Sequence, residues 1–152
     1  MSTELYLEDL AVGQIHRAGP RVVTQDEMIA FARDNDPQYF HVDPEAAQAS
    51  LFGGLVASGW QTAALTMRLL VESRAPFAQG VVGVGGELQW PAPLRPGDSI
   101  RIESVVVEIK RSRSRADRGL VTIRIKTYNQ KDEVVQVLSA RLVVFSREAA
   151  RA

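Results

Sequence analysis

Hydrophobic residues change their spacing several times along the chain, and each change marks an element. Val121, Ile123 and Ile125 alternate with Thr122, Arg124 and Lys126, the period of two expected of an antiparallel strand with one buried face. The pattern predicts long strands over Ser99–Lys110, Gly119–Asn129 and Val134–Phe145, with Gln130–Glu133 as the hairpin joining the last two. Val81–Pro91 reads as another strand, and Ala92–Asp98, "APLRPGD", as a loop with turn chemistry. Near the start, Gln14–Val23 reads as a first strand.

Between the first strand and the last four the spacing turns helical. Thr24 with Glu27 three residues on is a capping-box pattern, and Met28, Ile29, Phe31 and Ala32 supply the apolar side of a short helix. That helix must end before Pro37, which disfavours helix in the residue preceding it. Asp43 and Pro44 predict a further turn or two over Asp43–Ser50, with Asp43 as cap. Leu55–Leu70 then carries one charge, Arg68, in sixteen residues. A helix apolar all round is expected to be buried on all sides, with Trp60, Met67 and Leu70 in the core. It is too short and too polar to span a membrane. A strand, short helices, one long buried helix and four strands predict an α+β chain: a curved antiparallel sheet wrapped around a central helix, the hot-dog fold. Residues 1–152 read as a single domain, with no repeat and no linker.

Composition narrows the function classes. The 18 basic and 18 acidic residues cancel, so no whole-protein attraction to nucleic acid or to an anionic membrane is expected. The chain has no cysteine and two histidines, which excludes disulfide and thiol chemistry and argues against a closed zinc site. The opening "MSTELYLEDL" lacks an apolar signal core, so a cytoplasmic location is expected.

The chemistry concentrates in "DNDPQYFHVDPEAA", Asp34 to Ala47. Asp36 and His41 stand five residues apart in the segment feeding the apolar helix. Partial burial raises a carboxylate pKa and lowers that of an imidazole, while mutual contact pulls the other way, and such a pair can hold and activate a water. Gly59 lies near the N-terminal end of the helix, where backbone N–H groups lack intrahelical partners and a ligand can approach closely. An N–H there can stabilise negative charge growing on a carbonyl oxygen. An Asp/His pair with an oxyanion donor suits the addition of water to a double bond conjugated with a thioester carbonyl. Trp90 and Pro91 are candidates for an acyl pocket, with packing the simpler role. The basic run Lys110–Arg118 is expected to be a solvated hairpin tip, with contact to coenzyme A phosphates as the sharper alternative. His16 carries no functional expectation.

"DPQYFHVDPEAA", followed by "FGGLVASGWQTAAL" and later "LQWPAPLRPGD", resembles the MaoC-like acyl dehydratases, among them the (R)-specific enoyl-CoA hydratases, from about Asp26 to the last strand. The resemblance implies a hot-dog enzyme that is usually dimeric, as a homodimer or dimer of dimers, and needs no cofactor beyond the coenzyme A of its substrate. The family motif Gly-Asp-x-Asn-Pro-aliphatic-His places the catalytic aspartate on Asp36 and the histidine on His41, and the oxyanion glycine on Gly59 with Ser58 beside it. Asn35, Gln38, Tyr39 and Phe40 stand where the motif has glycine, asparagine, proline and an aliphatic residue, and Ser58 where a histidine often precedes the glycine. These departures bear on the pocket wall more than on the reaction type.

The expected activity is hydration of a trans-2-enoyl-CoA to a 3-hydroxyacyl-CoA, the (R) isomer by resemblance. A thioesterase on the same fold would want a carboxylate on the long helix, and Leu55–Leu70 has none. A non-catalytic acyl-CoA-binding subunit would not need the Asp36/His41 pair.

Overall fold

The structure, a computed structural model, describes residues 4–73 and 77–147. Five strands form one antiparallel sheet: β1 (Ile15–Val22), β2 (Val82–Gln89), β3 (Ser99–Arg111), β4 (Arg118–Tyr128) and β5 (Val134–Phe145), in the spatial order β1-β3-β4-β5-β2. Among the described residues four helices separate β1 from β2: α1 (Gln25–Asn35), α2 (Tyr39–Val42), α3 (Pro44–Ala47) and α4 (Gly59–Val71). The sheet curves around α4, as the hot-dog expectation requires. Among the described residues no helix is long and apolar enough to cross a membrane.

The alternation in β4 is kept in space. Val121, Ile123, Ile125 and Thr127 are buried, and they pack with Ile100, Ile102 and Val106 of β3 and Leu142 and Val144 of β5. Leu65, Leu69 and Leu70 of α4 complete this core from the helix side. Each such leucine contributes roughly 1.5–3 kcal/mol by leaving water. One register break matters for the site. Thr127 pairs with Gln136 and Tyr128 with Val134, which leaves Val135 as the extra residue of a bulge. Val135 and Gln136 are therefore both buried, although they are neighbours in a strand.

The helix starts follow local chemistry. Thr24 Oγ1 accepts from the Glu27 N–H, and the Glu27 carboxylate accepts from the Thr24 N–H at 2.7 Å, the predicted capping box. Asp43 Oδ1 accepts from the Glu45 and Ala46 N–H groups and caps α3.

The long helix differs from expectation in two ways. It begins at Gly59 and not at Leu55. The segment Leu55–Ser58 is extended because its backbone bonds elsewhere: the Val56 N–H donates to the Phe40 carbonyl and the Ala57 N–H to the Leu94 carbonyl. Ser58 then caps the helix, accepting from the Trp60 N–H. Nor is α4 buried all round. Gln61, Thr62, Leu65, Thr66, Leu69 and Leu70 are buried, while Trp60, Ala64, Met67 and Val71 form an exposed stripe at helical spacing. Trp60 is 61% exposed and Met67 39%, so neither is a core residue within one chain, whereas Leu70 is. Val82, Val84 and the rest of β2 are also largely exposed, on a strand that forms one edge of the sheet.

Candidate active site

Asp36 and His41 are brought together by a short helical relay. Asp36 closes α1, its N–H donating to the Ala32 carbonyl, and the bend through Pro37 leads directly into α2. His41 lies on α2 with its side chain buried at the base of a cleft. Its Nε2 stands 3.3 Å from Asp36 Oδ2.

The surroundings give the two groups different characters. His41 Nδ1 is 2.7 Å from the Val56 carbonyl oxygen. A carbonyl can only accept, so Nδ1 donates to it, and Nε2 is the nitrogen turned toward Asp36. Phe40 and Phe52 wall this region, with the Phe40 ring edge-on to His41 at 4.6 Å and to Phe52 at 5.3 Å. Asp36 is surrounded by donors. Ser58 Oγ donates to Oδ2 and Gln38 Nε2 to Oδ1, each at 2.7 Å. Burial pushes the Asp36 carboxyl up, but the bonds from Ser58 and Gln38, helped by the neighbouring His41, outweigh it and hold the group below its ordinary 3.8. Asp36 is thus held as a carboxylate.

Ser58 was expected beside the substrate. It is fully buried, spends its hydroxyl on Asp36 and on the α4 cap, and does not line the cleft. Its hydroxyl thus ties Asp36 to the start of α4. Gly59 is the first residue of α4, so its N–H belongs to the turn whose amides have no carbonyl four residues back. The residue does line the cleft. Packing gives a further reason for glycine here: a Cβ at this position would lie 2.6–2.8 Å from Cε2, Cζ2 and Cδ2 of the Trp90 ring.

The cleft has a volume of about 450 Å³, within the usual range for small-ligand sites. Asp36, Gln38 and His41 are its polar side, and Phe40, Phe52, Val56, Trp90, Leu94 and Val135 much of its apolar wall. Trp90 is therefore a pocket residue, and Pro91 lines the cleft with it. Sequence reasoning missed Gln38 as a partner of Asp36, the Val56 carbonyl as the group that orients His41, and Gln136 as a partner of Trp90. Only Gln136 left a trace, as a lone amide in the apolar run "VVQV". The basic run Lys110–Arg118 caps the β3–β4 hairpin at the far end of the sheet, ten residues along β4 from Tyr128, roughly 33 Å at the usual strand rise.

The chain compares closely with known proteins of the same architecture. A family model described as "MaoC like domain" matches residues 10–129. A MaoC-like dehydratase from Rhodospirillum rubrum is 54% identical in sequence, with a TM-score of 0.91 over 93% of this chain and 97% of that one. The 3-hydroxyacyl-thioester dehydratase Z of Mycobacterium tuberculosis is 33% identical over 118 residues, 72% of this chain and 77% of that protein. An (R)-hydratase from A. caviae shares the fold at 24% identity, with a TM-score of 0.72 over 89% of this chain and 97% of that one. With its hot-dog sheet and the family model spanning most of its length, the chain belongs to the MaoC-like dehydratase family.

Proposed function

We propose that the protein adds water reversibly to a trans-2-enoyl-CoA, giving the (R)-3-hydroxyacyl-CoA. Family membership supports a hydratase or dehydratase of acyl thioesters. One observation carries the finer reading: a carboxylate held ionised by Ser58 and Gln38 and the Nε2 of an imidazole oriented by the Val56 carbonyl face each other in the cleft that Gly59, the first residue of α4, also lines.

The chemistry follows from that asymmetry. A water in the cleft donates one hydrogen to the Asp36 carboxylate and one to His41 Nε2, which leaves its lone pairs for C3 of the enoyl group. Asp36, already accepting from two donors, is the weaker base. His41 therefore takes the proton as the C3–O bond forms and the C2–C3 π electrons move toward the thioester oxygen. The imidazolium so formed faces the Asp36 carboxylate. The Gly59 N–H holds the oxygen while it carries enolate charge, with the N-terminal end of α4 adding to the field. Return of the proton to C2 gives the 3-hydroxyacyl product, and no atom is left over.

The test is the absorbance of crotonyl-CoA with the protein and with Asp36→Asn and His41→Ala. Loss of the enoyl band with the wild type, and not with either variant, is the expected result. Release of free thiol instead would make the protein a thioesterase. An unchanged spectrum with every enoyl-CoA tried would leave a binding protein and overturn the proposal.

A further inference from the structure

The cleft and the substrate proposed for it differ in charge, and the difference points to Arg95. Apart from the dyad, the described side chains that line the cleft are uncharged, and Asp36 is held as a carboxylate. Coenzyme A carries several phosphate charges, so a cation is needed within reach of its arm. Arg95 stands beside the cleft wall. It follows Leu94, which lines the cleft, and one of its terminal nitrogens donates to the carbonyl of Phe52, another lining residue, at 2.9 Å. The Phe52 ring packs on Phe40, which packs on His41. The loop that carries Arg95 is braced. The Leu94 carbonyl accepts from the Ala57 N–H, the Arg95 N–H donates to Asp98 Oδ2 at 2.9 Å, and Gln130 Nε2 donates to the other oxygen of Asp98 at 2.9 Å.

The guanidinium itself is left with binding capacity. Arg17, Arg21, Arg68, Arg101, Arg118 and Arg147 each meet a carboxylate. Arg95 is exposed and has no ion pair among the described residues, and the Phe52 carbonyl takes one of its five N–H donors. Its other terminal nitrogen is 3.6 Å from where a Cβ on Gly54 would stand, so glycine there keeps side-chain atoms off that end of the fork. A fork with one donor on a neutral carbonyl and the rest unspent suits a phosphate, which arginine binds through paired N–H groups. We infer that Arg95 binds the pantetheine-linked phosphate of coenzyme A, an inference that rests on the reaction proposed above. The pantetheine arm carries that phosphate well away from the thioester. The cation that meets it therefore need not line the cleft beside the dyad, and Arg95 does not.

The experiment compares crotonyl-CoA, crotonyl-4′-phosphopantetheine and crotonyl-pantetheine as substrates of the wild type, Arg95→Ala and Arg95→Lys. Arg33→Ala, which removes an exposed arginine of α1, controls for overall charge. Arg95→Ala should lower kcat/KM for the two phosphorylated substrates by about tenfold, the effect of losing one charge-assisted hydrogen bond, and should do so through KM with kcat little changed. For crotonyl-pantetheine, which has no phosphate, kcat/KM should stay at the wild-type value. Arg95→Lys should recover part of the loss, and added salt should shrink it. A loss shared equally by all three substrates would mean that Arg95 only braces Phe52, and it overturns the inference. So does a loss confined to crotonyl-CoA, which would assign Arg95 to the nucleotide end, and so does an equal loss in Arg33→Ala. In each of those cases the proposed reaction stands. A wild type that hydrates none of the three substrates sinks the proposed reaction, and this inference with it.

Discussion

Replacing Ser58 with alanine removes two bonds made by one hydroxyl, and pH separates them. The first is the 2.7 Å donation to Asp36 Oδ2. A hydrogen bond to a charged group contributes about 1.5–3 kcal/mol. The second is the cap on α4, where the hydroxyl accepts from the Trp60 N–H at 3.3 Å. Loss of a serine cap costs about 1 kcal/mol. The side chains differ little in volume, so no large cavity term is added, and Ser58→Ala should lose roughly 2.5–4 kcal/mol of unfolding free energy at neutral pH. The pH dependence follows from the carboxylate. Asp36 holds its proton less tightly in the folded protein than in the unfolded chain. Its contribution is therefore complete above the ordinary 3.8 and is lost as the pH falls through the lower folded value. Urea unfolding of both proteins, from neutral pH to the lowest pH at which both fold, should show the gap narrowing on acidification toward the cap contribution alone. In parallel, the acid limb of kcat/KM should move to higher pH in Ser58→Ala, because burial then acts on Asp36 with one donor fewer. A stability gap independent of pH, or a variant with unaltered turnover and an unaltered acid limb, would refute the assignment of Ser58 to Asp36.

Asp36→Asn and His41→Ala should each lower hydration by about 10²–10⁴-fold with the fold retained, as judged by circular dichroism; near wild-type turnover in either folded variant would remove it from the chemistry. Gly59→Ala forces Trp90 off its seat, so it should cost about 1–3 kcal/mol in thermal or urea unfolding, as overpacking does, together with a loss of turnover; an alanine variant as stable and as active as wild type would show that the contact with the ring yields freely. The exposed edge strand β2 and the stripe Trp60, Ala64, Met67 and Val71 on α4 leave unpaired backbone and apolar surface that a second copy of the chain would cover, so light scattering at micromolar concentration should give a dimer mass or a multiple of it, and a monomer in an active preparation would contradict that.

Features set by neighbours in the chain were legible in the sequence, and features set by distant segments were not. The capping box of Thr24 and Glu27 and the cap by Asp43 depend on residues two or three apart, and both are present as predicted. The inward residues of β4 follow from alternation alone. The pairing of Asp36 with His41 was accessible because five residues and a proline separate them. The start of α4 was not, because Leu55–Ser58 would suit a helix by composition and is extended only through bonds to Phe40 and Leu94. Ser58 meets Asp36 across 22 residues and Trp90 meets Gln136 across 46, and no local pattern encodes either contact. The bulge that buries Gln136 breaks the period of two that strand prediction relies on.

The departures from the family motif are each absorbed by the local geometry. Asn35, where the motif has glycine, is the last residue of α1 and in helical conformation, and its side-chain amide donates to the Phe31 carbonyl. Nothing there requires glycine's freedom. Tyr39, where the motif has proline, is the first residue of α2. Proline suits that position because the N–H has no helical partner, so a tyrosine forfeits only a preset φ. The turn still forms, with the His41 N–H bonded to the Gln38 carbonyl and the Asp43 N–H to that of Tyr39. Phe40 replaces an aliphatic residue and stands edge-on to both His41 and Phe52. Gln38 is the departure with a chemical consequence. Its longer amide reaches Asp36 Oδ1, so the carboxylate is gripped at both oxygens, one by an exposed side chain and one by the buried Ser58. A carboxylate held that way keeps its charge while its own basicity falls.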